Sequence, residues 1–185
     1  ITGGLGYIGT ELCKLYSGIS WHHEIIVIDN RFISERVNQI RNWNMEFVQG
    51  DILDKELIKK YFKNANIVHH LAGVTDVPRT KNDSSQEQDE KIKNVGENGT
   101  QNILDVISDN CKIIFPSTHV VYEGIEEVKI DIPEDAPTAP ILSYAQSKAI
   151  NEKQLKESGK NYVILRLGSV YGYSSDSMRI DIMPN

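Results

Sequence analysis

The sequence predicts an α/β fold, a doubly wound parallel sheet, on three observations. Short apolar runs recur along the 185 residues, and segments of helix length separate them. The first helical pattern follows directly on a cluster of glycines, Gly3, Gly4, Gly6 and Gly9. Strands that are apolar throughout, alternating with helices, describe a parallel sheet covered on both faces.

In chain order, "EIIVID" (24–29) reads as a buried strand and "MEFVQG" (45–50) as a weaker one. "ANIVHHLAG" (65–73) and "CKIIFPST" (111–118) are strong strands, and "NYVILRLG" (161–168) closes the series. Helical periodicity covers 10–17, 54–63, 84–108 and 143–157, the third segment becoming apolar only after Ile92. The run 79–91 is fully polar and reads as a disordered loop or as the solvated start of the long helix. The stretch 123–142 is acidic and holds three of the six prolines, Pro133, Pro137 and Pro140. A loop of that length either shapes a site or moves freely at the surface.

Bulk composition sets bounds. An apolar fraction of 39% with 25% charged residues describes an ordinary globular protein with one sizeable core. A formal net charge of -6 with no basic stripe argues against nucleic acid as a partner. No apolar run approaches the roughly 20 residues of a membrane helix, and no signal peptide is visible. Cys13 and Cys111 have neither metal-ligand spacing nor the numbers for a disulfide framework, so two reduced thiols in the cytoplasm are expected. The acidic run 126–135 reads as a solvated loop, and no metal site is expected.

The glycines answer a packing problem. A pyrophosphate must come close to the backbone, a side chain would block it, and the following helix turns its free N–H groups and positive dipole end toward the phosphates. The next strand ends in Asp29, 20 residues beyond Gly9. That is the offset of a carboxylate that bonds the adenosine ribose hydroxyls. Such a carboxylate repels a 2′-phosphate, which favours NAD over NADP, and Arg31 beside it would soften the preference. The fold is therefore read as Rossmann-like. Only Ile1 and Thr2 precede the glycines, where such a fold has a central strand, and the tail "SMRIDIMPN" ends without a closing element. Truncation at both ends is expected.

The chemical centre is "SYAQSKAINEKQL". Tyr144 and Lys148 stand four apart, a turn apart on one helix face. A tyrosine pKa of roughly 10 is too high for a neutral-pH base, but a neighbouring ammonium and a cationic nicotinamide lower it. Tyr144 then takes the proton of a substrate hydroxyl while hydride leaves for the cofactor. Ser117 and Thr118 end an apolar strand, where open parallel sheets bind ligands. Thr118 is the candidate to orient the substrate hydroxyl; its plainer reading is a cap on the next turn.

Together these residues resemble the extended short-chain dehydrogenase/reductase family, the NAD-dependent nucleotide-sugar epimerases and dehydratases. "TGGLGYIG" is similar to that family's cofactor turn, which implies contacts from Gly3, Gly6, Tyr7, Ile8 and Gly9. "VIDN" resembles its ribose contact, Asp29 with Asn30, and "GDI" the stretch where Asp51 and Ile52 meet the adenine. "HLAG" resembles the backbone along the cofactor, Leu71, Ala72 and Gly73. "STHVVY" and "SYAQSK" resemble its catalytic elements, Thr118, Tyr144 and Lys148. "GTQNIL" (99–104) looks like a dimer-forming helix, and "LRLGSVYG" (165–172) like the approach to a nucleotide-sugar site. The resemblance implies an NAD domain over 1–168, the start of a substrate region over 169–185, a homodimer, and a sugar oxidised transiently and reduced on its other face.

Five positions depart from that pattern. His119 and Val120 stand where dehydratases carry two acids, which favours an epimerase, with a dehydratase or a reductase as alternatives. Glu123 stands where a glycine is usual, so the turn beyond the strand is expected to differ. Ser169 replaces a frequent asparagine, as does Gly96, with Asn94 near but out of register. His119 reads most simply as a residue packed at the strand end. A silent NAD sensor or scaffold is the alternative of another class, against which stand Thr118, Tyr144 and Lys148, all present.

Overall fold

The computed structural model describes residues 1–74, 85–127 and 130–174. The element order is α1 (Tyr7–Tyr16), β1 (Ile26–Asp29), α2 (Ser34–Asn42), β2 (Glu46–Gln49), α3 (Lys55–Phe62), β3 (Ile67–His69), α4 (Gln86–Lys93), α5 (Gly99–Leu104), β4 (Lys112–Thr118), α6 (Ser143–Glu157) and β5 (Asn161–Leu167). A π-helical turn, Asn94–Asn98, joins α4 to α5, and a 3₁₀ turn, His119–Tyr122, follows β4.

Every strand pairing is parallel, β1 with β2 and β3 with β4 with β5. The two groups meet through Thr2, which bridges Ile28 on one side and His70 on the other. Ile1 and Thr2 thus occupy the central place in the order β2, β1, Thr2, β3, β4, β5. The sheet is covered on both faces, as two neighbouring residues of β1 show. Val27 packs with Leu5, with Cys13 of α1 and with Val37 and Ile40 of α2. Ile28 packs in the other cluster with Ile58 of α3, Ile103 of α5 and Leu155 of α6.

Some expectations change. The sequence periodicity gives no helix over 34–42, yet α2 forms there; its surface is polar and only Val37 and Ile40 are buried, too few to register as a stripe. The strand expected over 65–73 is only three residues long, because beyond it the Ala72 N–H bonds the Thr2 side chain (Oγ1, 3.0 Å) instead of a neighbouring strand. Of the polar run 79–91, residues up to 84 lie outside the described residues, and the rest is helix capped by Ser85, whose Oγ accepts from the Gln88 N–H at 3.2 Å. The long helix expected over 84–108 is interrupted at Asn94–Asn98 and ends at Leu104. The interruption sits directly against α6. A Cβ on Gly96 would lie 2.3 Å from Ser147 Oγ, and the Asn151 amide donates to the Gly96 carbonyl at 3.0 Å. Both cysteines are buried and unbridged.

Candidate active site

A crevice of about 560 Å³ opens at the carboxyl ends of β1, β3, β4 and β5. It is bordered by the glycine turn, by Asp29 and Asn30, by Asp51 and Ile52, by Leu71, Ala72 and Gly73, and by Thr118, Tyr144 and Lys148. Sequence separations of more than a hundred residues close into one cleft, at the position where open parallel sheets hold ligands.

The glycines do different jobs. Gly3 has φ +64°, and a Cβ there would sit 2.8 Å from the Ala72 backbone nitrogen. A Cβ on Gly9 would sit 2.4 Å from the Gly3 carbonyl oxygen. Both are therefore demanded by the chain's own backbone, and both border the crevice as well. Gly6 differs: a Cβ there would meet only the Gly3 carbonyl, at 3.2 Å, while facing the crevice. Gly6 is also the N-cap of α1, which has no side-chain cap. A bare helix start behind a residue without a side chain is a fitting cradle for a dinucleotide pyrophosphate.

Asp29 is buried and already engaged. Its Oδ2 accepts from the Leu5 N–H at 3.0 Å, and its Oδ1 from the Arg31 N–H at 3.0 Å and the Arg31 Nε–H at 3.3 Å. A carboxylate offers about four lone-pair sites, so acceptor capacity remains for a ribose hydroxyl. Asp51 Oδ1 accepts from the Leu53 N–H at 2.9 Å, fixing the turn after β2. Ile52 sends its side chain into the core, and its carbonyl accepts from the Asn102 amide at 3.1 Å.

Sequence reasoning gave His70 no side-chain role, yet it anchors the segment along the crevice. One ring nitrogen meets Thr2 Oγ1 at 2.9 Å and the other Thr100 Oγ1 at 3.1 Å. Burial first, and then the Lys148 charge, push it down to about 3, so the ring is neutral and serves as a hydrogen-bond strut. Lys91 and Val95 also border the crevice. Their four-residue spacing was readable, but not the register that the π-helical turn gives them.

Tyr144 and Lys148 lie on α6 as the spacing predicts. The Lys148 Nζ donates to the Pro116 carbonyl at 2.8 Å and stands 4.3 Å from the Phe115 ring centroid and 5.9 Å from that of Tyr144. Burial pushes this ammonium down to about 8. Thr118 Oγ1 accepts from the Val120 N–H at 3.3 Å, the capping role, while the residue also borders the crevice. The Ser117 hydroxyl donates to Glu152 Oε1 at 2.6 Å, within the core. The His119 ring meets the Leu167 carbonyl at 3.1 Å from an exposed position, as a residue packed at the strand end. Beyond β5 the chain returns over α1. The Tyr7 hydroxyl donates to the Gly172 carbonyl at 2.5 Å, and the Ser174 hydroxyl to Glu11 Oε1 at 2.5 Å. Of the expected substrate segment 169–185, residues after 174 lie outside the described residues.

Known proteins are similar to this chain in sequence and fold. The UDP-glucose 4-epimerase of Lactobacillus helveticus is 30% identical over 184 residues, covering 95% of this chain and 52% of the relative. The CDP-paratose 2-epimerase of Salmonella typhi is 31% identical, covering 93% and 57%. The crystal structure of UDP-glucose 4-epimerase from Brucella ovis in complex with NAD superposes with a TM-score of 0.71 at 28% identity, covering 89% and 50%. The chain thus spans about half the length of the curated relatives it matches. The profile of the NAD-dependent epimerase/dehydratase family matches residues 1–183, and the chain belongs to that family.

Proposed function

We propose that this chain carries the cofactor site and catalytic centre of an NAD-dependent epimerase acting on a nucleotide-linked sugar through a transient keto intermediate. The observation that carries the reading is the Tyr144 phenol beside a partly buried Lys148 ammonium, in the same crevice as the glycine turn and Asp29. When bound, NAD supplies the acceptor, and later the donor, of the hydride of the sugar carbon. The protein's own part is to hold and move a proton. Lys148 is fixed by the Pro116 carbonyl and stabilises the phenolate of Tyr144, which takes the substrate hydroxyl proton and returns it after the sugar has turned. Thr118 keeps its own hydroxyl hydrogen for the substrate oxygen while accepting from Val120. Asp29 holds the adenosine ribose, and Gly6 with the start of α1 holds the pyrophosphate.

The turn after β4 favours epimerisation over dehydration, because His119 is spent on the Leu167 carbonyl and Val120 has no ionisable group. The names of the relatives carry a nucleotide-linked sugar or its epimerase, which supports that substrate class. The outer surfaces of α4, α5 and α6 are proposed as the seat of a second copy, and the cytoplasm as the compartment. No helix among the described residues is long and apolar enough to cross a membrane.

The test uses the intact protein with UDP-glucose and UDP-galactose as probes. The expected result is interconversion without accumulation of reduced nicotinamide, and a loss of about 10²–10⁴ in turnover for Tyr144→Phe with NAD binding retained. Equal turnover by Y144F overturns the reading.

A further inference from the structure

The helix that carries Tyr144 has no cap of its own. Leu142 is the N-cap of α6, no side chain of the cap closes the first turn, and that turn contains no acidic residue. The start of the helix is held instead from the other end of the long loop. Glu123 Oε1 accepts from the Ile141 N–H at 2.7 Å and from the Leu142 N–H at 2.7 Å. Two backbone bonds run beside these, from the Ala139 N–H to the Val121 carbonyl and from the Gly124 N–H to the Ala139 carbonyl, each 2.8 Å. A Cβ on Gly124 would stand 2.5 Å from the Ala139 carbonyl oxygen, so a glycine is needed for the strands of this clasp to meet. From the helix side, the Gln146 amide donates to the Ile141 carbonyl at 3.0 Å.

Glu123 directly follows the 3₁₀ turn His119–Tyr122, which Thr118 caps. One carboxylate therefore links the turn capped by Thr118 to the turn that bears Tyr144. A negative group at a helix start is favoured by the dipole, and its bonds to backbone N–H groups are charge-assisted. Glycine, usual here in the resemblance described above, has no side chain with which to make this link.

We infer that Glu123 is a positioning residue: its carboxylate fixes the start of α6 and thereby the distance between Tyr144 and Thr118 across the crevice. The inference rests on the proposed function. The experiment compares Glu123→Ala, Glu123→Asp and Glu123→Gln in the intact protein, with UDP-galactose as substrate. The measurements are kcat, KM, NAD affinity and hydrogen exchange at the amides of 141 and 142. E123A is expected to lower kcat by about 10- to 100-fold, the scale of a small misplacement of a reacting group, with KM and NAD affinity within about twofold. The two amides should exchange about tenfold faster. E123Q keeps an acceptor oxygen and recovers most of the lost rate. E123D withdraws the oxygens by one methylene and should lower kcat at constant KM, which keeps the test open if E123A does not fold. An active wild type with equally active E123A or E123D, or unchanged exchange at 141 and 142, overturns the inference alone. A wild type inactive on nucleotide sugars overturns the proposed function, and the inference with it.

Discussion

Lys148→Met is the most informative perturbation, because it separates what the site needs from what the fold prefers. Burial lowers the Lys148 ammonium from 10.5 to about 8. At about 1.4 kcal/mol per pKa unit, keeping that charge inside the NAD-free protein costs about 3 kcal/mol at neutral pH. In the window between about 8 and 10.5 the unfolded chain binds the proton that the folded chain has released. Stability from this group therefore rises with pH across that window, and the full cost is present below it. Methionine has no proton to lose, so K148M lacks this rise. The measurement is urea unfolding of both proteins, NAD-free, from about pH 7 to pH 10.5, reading the difference in unfolding free energy. The advantage of K148M should shrink by about 3 kcal/mol as pH rises. Its absolute size also includes the lost bond to the Pro116 carbonyl and the lost contact with the Phe115 ring, so the slope is the test. The buried Cys13 thiol, pushed up to about 11, acts in the opposite direction but equally in both proteins. Parallel pH profiles would refute the claim that the fold carries Lys148 at a cost.

Two further substitutions discriminate roles within the fold. Gly3→Ala should destabilise the protein by at least about 2 kcal/mol, since it forces both a positive φ and a backbone collision, whereas Gly6→Ala should fold and lose NAD affinity; melting curves and NAD titration check the pair. Arg166→Met removes two bonds from the buried Glu152 carboxylate, from Arg166 Nε at 2.9 Å and Nη2 at 2.7 Å, leaves the Ser117 hydroxyl at 2.6 Å and Lys156 at 3.7 Å, and should cost about 1.5–3 kcal/mol in urea unfolding at neutral pH. Burial alone would raise Glu152, but the bonds from Arg166 and Ser117 hold it below the usual carboxylate range, so its contribution is full above about pH 4.3 and fades as pH falls; R166M should show a smaller acid-dependent part.

The parallel α/β fold, and several residues that border the candidate crevice, were legible in the sequence. The offset from Gly9 to Asp29 and the four-residue step from Tyr144 to Lys148 are short-range rules of strand and helix geometry, and they survive folding intact. What escaped depends on partners remote in sequence. Ser117 and Thr118 are chemically alike and both border the crevice, but only the fold decides that the first gives its hydroxyl to Glu152 while the second accepts from the Val120 N–H. Gly3 is needed because Ala72 lies against it, some seventy residues along the chain, and no local pattern announces that contact. The helix α2 escaped for the opposite reason, since two buried residues leave too weak a periodicity.

Pro116 shows how sheet topology prepares the chemistry. A proline inside a strand is ordinarily confined to an edge, because it has no N–H for the ladder. β4 lies between β3 and β5, where a proline should be costly. Alternation resolves this. The Lys112 N–H donates to the Asn66 carbonyl, and the Ile114 carbonyl accepts from the His70 N–H, so alternate residues of β4 turn their backbone groups toward β3. Pro116 shares that parity, but the pairing of β3 with β4 ends at His69 and Ile114. The side that a proline cannot serve is therefore one where no strand asks for a donor. The same early end of β3 leaves the Pro116 carbonyl without a ladder partner, and Lys148 takes it at 2.8 Å. A short β3 thus does two things at once: it opens the crevice, and it leaves a fixed acceptor that holds the ammonium beside Tyr144.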